Sequence, residues 1–171
     1  YGPGNVRSGS GGDTRLLRFS HGEEDWYTLS ARRSLDLWLE QAPKAQALCS
    51  QVASMIFASD VSDRPVHAMN DGQRLELGGH EVTWFDAPHV PHGWDCGYLA
   101  ELSTRTLFCG DLFTQPGASN APLTEGDILG PSEAMRAQMD YFAHGPHTSA
   151  AIEKMAAFEP RVLACMHGSC F

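Results

Sequence analysis

The sequence predicts an α/β layered domain, on two kinds of observation: short runs that alternate or stay apolar as strands do, and helical stretches with start and stop signals set between them. The strand pattern is densest from Gln73 to Cys109, and the helical pattern from Ser132 to Phe158. With 171 residues, 42% of them hydrophobic and 19% charged, the chain has the size and composition of one globular domain with a single core.

Residues 1–13 are Gly-rich and polar, and are expected to form a flexible N-terminal segment ahead of a domain over residues 14–171. Leu16, Leu17 and Phe19 mark a strand over Thr14–Ser20 that delivers His21 to its edge. A helix is expected over Ser34–Ala42, with Ser34 as its N-cap and Pro43 as its stop. Ala47–Ser50 reads as a short strand, and the stretch near Ser50–Ala58 as helical. Arg74–Leu77 and His80–Phe85 flank a Gly78-Gly79 turn, and Gly97–Leu102 and Thr106–Cys109 form the next hairpin around Ser103–Arg105. Two helices follow, near Ser132–Phe142 with Pro131 at entry and near Thr148–Phe158 with Pro160 beyond it; Arg161–Cys165 is a buried strand leading to His167. No internal repeat is present.

The formal charge of −9 and pI near 5.2 argue against a nucleic-acid partner, which needs a cationic face. No run of eighteen apolar residues and no charged-then-apolar leader is present, so no membrane association is expected and the default location is cytoplasmic. The five cysteines form no C-x-x-C pair, and an odd count in this context points to reduced thiols.

Metal-ligand residue types recur just after strand-like runs. His21, Glu23 and Asp25 stand at i, i+2 and i+4, a spacing that can project all three from one side of an extended loop. Asp111 follows a strand end, and its two carboxylate oxygens could bridge two ions. One partition gives His21, Glu23 and His92 to one ion, Asp25 and His167 to the other, and Asp111 to both, leaving open positions for water or substrate. Singly, each piece has a plainer reading, as a solvated acidic loop, a turn aspartate or a surface histidine. Their common position at strand ends, and their order, favour the metal reading.

That order resembles the metallo-β-lactamase superfamily, and within it the flavodiiron proteins and their short relatives, the oxygen-binding diiron proteins. The residues that carry the resemblance are His21/Glu23/Asp25, His92, Gly110-Asp111 and His167-Gly168, with nineteen positions from His92 to Asp111. Pro88–Asp95 and Leu107–Phe113 are the most specific parts, and the likeness covers about residues 14–171. Trp26 stands where the family has His or Glu, and the helix near Ser34 arrives several residues late. An ungapped alignment from that helix would instead put Trp26, Thr28 and Ser30 at the ligand positions, as a local frameshift would.

The resemblance implies an αββα sandwich. Only about twenty residues precede His21 and only four follow His167, so the N-terminal sheet is expected to be incomplete and the chain a fragment truncated at one or both ends. It implies two iron ions as cofactors, dioxygen as the ligand that is bound or reduced, and an external electron donor where the reaction is a reduction; no flavin site is visible. His89 and Asp95 are expected beside the ligands, on the pocket wall. Glu23 favours iron, because zinc hydrolases of this fold mostly carry His there and a carboxylate suits an iron pair. The alternatives are a hydrolase with two zinc ions, or a degenerate scaffold with an incomplete metal site. A homodimer is one expected assembly.

Overall fold

The computed structural model of the chain describes residues 29–30, 33–34, 36–37, 40–58, 62, 64–117 and 120–171. Residues 1–45 and 46–171 are two compact units. The expected flexible segment, the strand over Thr14–Ser20 and the loop carrying His21, Glu23 and Asp25 lie outside the described residues. In the first unit, residues 29–30, 33–34, 36–37 and 40–41 are helical. Ser34 is therefore not the N-cap the sequence suggested: it is helical itself, and its Oγ donates to the Ser30 carbonyl at 2.9 Å. Pro43 stands in a turn beyond the helical residues, as a stop should.

The second unit holds two sheets. Strands β1 (Ala47–Ser50) and β2 (Val66–Met69) pair in parallel, Ala47 opposite Val66 and Ser50 opposite Met69. Between them the chain winds through a short helix α1 (Gln51–Ala53) and a π-helical turn (Ser54–Ala58). Ser50 starts this winding, its Oγ accepting from the Ala53 N–H at 3.1 Å. Strand β2 was not legible in the sequence: after Pro65 its alternation rests on half-buried Val66 and Ala68 about exposed His67, with no large apolar residue before Met69.

The larger sheet contains β3 (Arg74–Leu77), β4 (His80–Asp86), β5 (Gly97–Glu101), β6 (Thr106–Gly110) and β7 (Val162–Cys165), side by side in sequence order. Tight turns make β3 through β6 antiparallel, whereas β7 lies parallel to β6. A parallel neighbour requires a crossover. Helices α2 (Leu129–Met139) and α3 (Thr148–Ala157) provide it.

Helix α2 begins three residues before the expected Ser132, because Asp127 Oδ1 accepts from the N–H groups of Leu129 at 2.8 Å and Gly130 at 3.0 Å. That leaves Pro131 in the first turn, where its missing N–H costs nothing. The helix ends before the expected Phe142, at Asp140, which adopts a left-handed φ of 46°.

The core lies between β5, β6 and α3. Tyr98, Ala100, Leu107 and Cys109 meet Ala151 and Met155, and Ala87, Val90 and Leu112 join them from the loops beyond the strands. Phe85 and Phe158 add an edge-on contact with ring centres 6.1 Å apart. The Glu101 carboxylate accepts from the hydroxyls and backbone N–H groups of Ser103 and Thr104, which hold it well below the usual carboxylate range. Arg105 then donates to the Phe158 carbonyl at 2.9 Å and to Glu159 at 2.8 Å. The start of β6 is thereby fastened to the end of α3. This mixed α/β arrangement is the fold class the sequence predicts, with two strands in the first sheet among the described residues. Also among them, no helix is long and apolar enough to cross a membrane.

Gly97 sits beneath the Trp84 ring, where an added Cβ would lie 2.1 Å from Cζ2 and 2.7 Å from Cε2. Trp84 has little freedom to yield, since its Nε1 donates to Asp86 Oδ1 at 2.6 Å. Gly97→Ala is expected to cost about 1–3 kcal/mol in chemical denaturation, the usual cost of overpacking. An unchanged midpoint would contradict this packing.

Candidate metal centre

His92 stands on the turn that joins β4 to β5, and main-chain bonds hold that turn closed. Ala87 N–H donates to Cys96 O at 3.0 Å, Val90 N–H to Ala87 O at 3.0 Å and His89 N–H to Gly93 O at 2.7 Å. His89 and Gly93 both take left-handed φ values, 64° and 80°, which reverse the chain within a few residues. Val90 is the anchor. Its side chain is fully buried, and its carbonyl accepts from the Tyr98 hydroxyl at 2.5 Å and the Cys96 thiol at 2.8 Å. Burial pushes the Tyr98 phenol far up, which favours its role as a donor. On the other side of His92, Pro91 O accepts from Ala143 N–H at 2.7 Å.

Asp111 is the first residue beyond β6, turned out of the strand by Gly110 at φ 51°. Its main-chain carbonyl accepts from Thr114 Oγ1 at 2.7 Å and from the Tyr141 hydroxyl at 3.4 Å. His167 arrives from the end of the parallel neighbour β7, where Met166 N–H donates to Gly110 O at 3.1 Å. The loops after β6 and β7 are then joined by Gln115. Its N–H donates to His167 O at 3.0 Å, its side-chain amide to Phe113 O at 3.1 Å and to Ser169 O at 3.0 Å, and its Oε1 accepts from Ser169 N–H at 3.1 Å. Gly168 fits against it at φ 109°, where a Cβ would lie 2.6 Å from Gln115 Cβ.

These supports bring three of the expected ligands together. Asp111 Oδ2 lies 3.2 Å from His92 Nε2, and Asp111 Oδ1 lies 3.3 Å from His167 Nε2. Each carboxylate oxygen therefore has its own histidine. The spacing suits metal coordination, because two donors each about 2.1 Å from one ion and at right angles to each other are about 3 Å apart. The side chains are 54% exposed at His92, 57% at His167 and 30% at Asp111, which leaves one side of each pair open. Two donors per ion do not make a complete site. Among the described residues, no group of three or more His, Cys, Asp or Glu side chains is arranged to hold one ion.

His89 and Asp95 are placed on the same turn, and neither forms a hydrogen bond with His92, Asp111 or His167. His89 is exposed beside Gly145, and Asp95 is half-buried against Gly93. Sequence reasoning missed Gln115, Tyr98, Thr114 and Tyr141. All four act through main-chain carbonyls, so no motif of ligand types marks them. Gln115→Ala would leave the main-chain groups of buried Ser169 without partners, at a cost of about 1–3 kcal/mol. Faster amide exchange at Ser169 should report it, and unchanged protection there would contradict the stitching role.

No protein-family model and no curated protein matches the chain. Solved structures do. A metal-soaked flavodiiron core from Synechocystis superposes with a TM-score of 0.64 at 25% identity, covering 82% of this chain and 36% of that one. The rubredoxin oxygen:oxidoreductase of Desulfovibrio gigas gives 0.63 at 24% identity, with 81% and 36% covered. The chemotaxis sensor ODP, as a peroxy diiron species, gives 0.59 at 21% identity, with 89% and 62% covered. The chain thus spans about a third of the two longer structures and under two thirds of the sensor. By fold the chain is a metallo-β-lactamase-type α/β domain, of the form seen in flavodiiron cores and the diiron sensor.

Proposed function

We propose that the chain forms a non-haem dinuclear iron centre that binds or reduces dioxygen, held by His21, Glu23, Asp25, His92, Asp111 and His167. The observation that carries this reading is the Asp111 carboxylate, whose two oxygens face two different histidines at 3.2 Å and 3.3 Å. Asp111 is shared between the two positions. His21 and Glu23 complete the one begun by His92, and Asp25 completes the one begun by His167. His89 and Asp95 flank the ligands without holding an ion.

A reduced iron pair, when bound, supplies two electrons and open positions for dioxygen, so reduction to water needs an external donor. The chain's own residues set the conditions. The charge on Asp111 offsets the positive charge of the ions from a half-buried position. His92 and His167 would each offer a ring nitrogen to an ion. The loop bonds through Val90 and Gln115 hold the backbone that carries His92, Asp111 and His167, which supports this reading. Glu23 adds a hard anionic oxygen that favours iron over zinc.

Replacing Asp111 tests the shared role. Asp111→Asn in anaerobically loaded protein is expected to lose both irons together; loss of only one would mean that Asp111 serves a single position. The upstream loop is tested by exchanging neighbours. Glu23→His trades an anionic oxygen for a neutral nitrogen and should raise the ratio of bound zinc to iron, whereas Glu24→His, out of step with the i, i+2, i+4 spacing of His21, Glu23 and Asp25, should leave it unchanged. Equal behaviour of the two variants would remove His21, Glu23 and Asp25 from the site, and with them the diiron reading.

A further inference from the structure

Three of the five cysteines, Cys109, Cys165 and Cys170, stand at or just beyond the ends of β6 and β7, and the proposed iron centre uses none of them. Cys109 is the extra residue of β6: Phe108 lies opposite Ala164 and Gly110 opposite Cys165, so the register slips around it. Its side chain is fully buried in the core, and Cys165, opposite the next residue Gly110 on the neighbouring strand, packs against the same core cluster; the Cys109 thiol donates to Leu107 O at 3.4 Å and the Cys165 thiol to Leu163 O at 3.8 Å. Cys165 is half-buried. The Cys170 thiol, five residues beyond β7, donates to Cys165 O at 3.9 Å.

We propose that Cys109 and Cys165 are a reversible thiol–disulfide pair that reacts with a hydroperoxide, closing a covalent bridge between the two strands that carry Asp111 and His167. Exposure sets the order of events. Cys165 is the reachable thiol, and its sulfur displaces water from hydrogen peroxide to give the sulfenic acid. Cys109 sulfur then attacks the Cys165 sulfur; the sulfur–oxygen bond breaks, the sulfur–sulfur bond forms and a second water leaves. The balance is two thiols and one peroxide to one disulfide and two waters, with two electrons passing from sulfur to oxygen. A dithiol reverses it by exchange. A disulfide sets its two Cβ atoms about 3.8 Å apart, so closing it fixes the bulged part of β6 against β7. Asp111 is two residues beyond Cys109 and His167 two beyond Cys165, so the bridge constrains the spacing of that pair as well. That consequence for metal binding rests on the proposed function; the bridge itself does not.

The test takes the reduced full chain, treats it with hydrogen peroxide, alkylates it after denaturation and maps the thiols by mass spectrometry. A Cys109–Cys165 linked peptide that dithiothreitol removes is the expected result. Cys109→Ser should leave Cys165 as a sulfenic acid trapped by dimedone, and Cys165→Ser should leave Cys109 a free thiol. Cys109→Ala serves if a core hydroxyl impairs folding. A Cys165–Cys170 bridge, or Cys165 oxidised further while Cys109 stays free, overturns the proposal. Anaerobic ferrous-ion titration then compares bridged and reduced protein, and binding on the order of tenfold weaker in the bridged form is expected. Equal affinity overturns the link to the centre, whereas a bridge in a chain that binds no iron in either form upholds the pair and sinks the diiron reading.

Discussion

Pairing β6 in parallel with β7 places Asp111 and His167 together, and the site depends on it. Two parallel strands end on the same edge of a sheet, so residues just beyond them meet even when far apart in sequence. The crossover through α2 and α3 makes that pairing possible, and the apolar contacts of Ala151 and Met155 beneath β5 and β6 hold it. Arg105 fastens the far end of the same strands, through the Phe158 carbonyl and Glu159. His92 reaches this edge by another route, on an antiparallel hairpin whose closed turn hangs from the Val90 carbonyl.

Polar bonds made by the main chain, rather than contacts among the ligands, give the site its geometry. The side chains of His92, Asp111 and His167 are partly exposed, and polar contacts open to solvent contribute little to stability. The buried supports are different. Gln115 bonds to the main-chain groups of buried Ser169, and Tyr98 joins the Cys96 thiol on the Val90 carbonyl, so each fixes a loop as well as stabilising it. The rigid part of the centre is therefore its backbone frame. The side chains of His92, Asp111 and His167 are left open to solvent.

The strands were legible in the sequence where alternating or apolar runs met turn residues, as in Arg74–Leu77 and His80–Asp86 around Gly78-Gly79, and Asp111 and His167 were legible as residue types just beyond such runs. Weakly apolar or capped elements were harder. β2 offers only Val66 and Ala68 before Met69, and α2 starts at Asp127's carboxylate rather than at the proline that looked like its entry. Ser34 has the residue type of a cap and the position of a helical residue. Gln115 was invisible because a glutamine four positions after an aspartate has no chemical pattern; its role comes from a loop more than fifty residues away. The upstream ligand loop lies outside the described residues, so His21, Glu23 and Asp25 rest on motif and spacing alone.

The central claim is that one shared carboxylate organises two iron positions. Metal analysis of the chain expressed anaerobically with iron and zinc both supplied tests it most directly. The account predicts about two irons per chain and a near-UV band that changes on exposure to dioxygen. Zinc accompanied by ester hydrolysis would contradict it, and so would a folded chain that holds no metal.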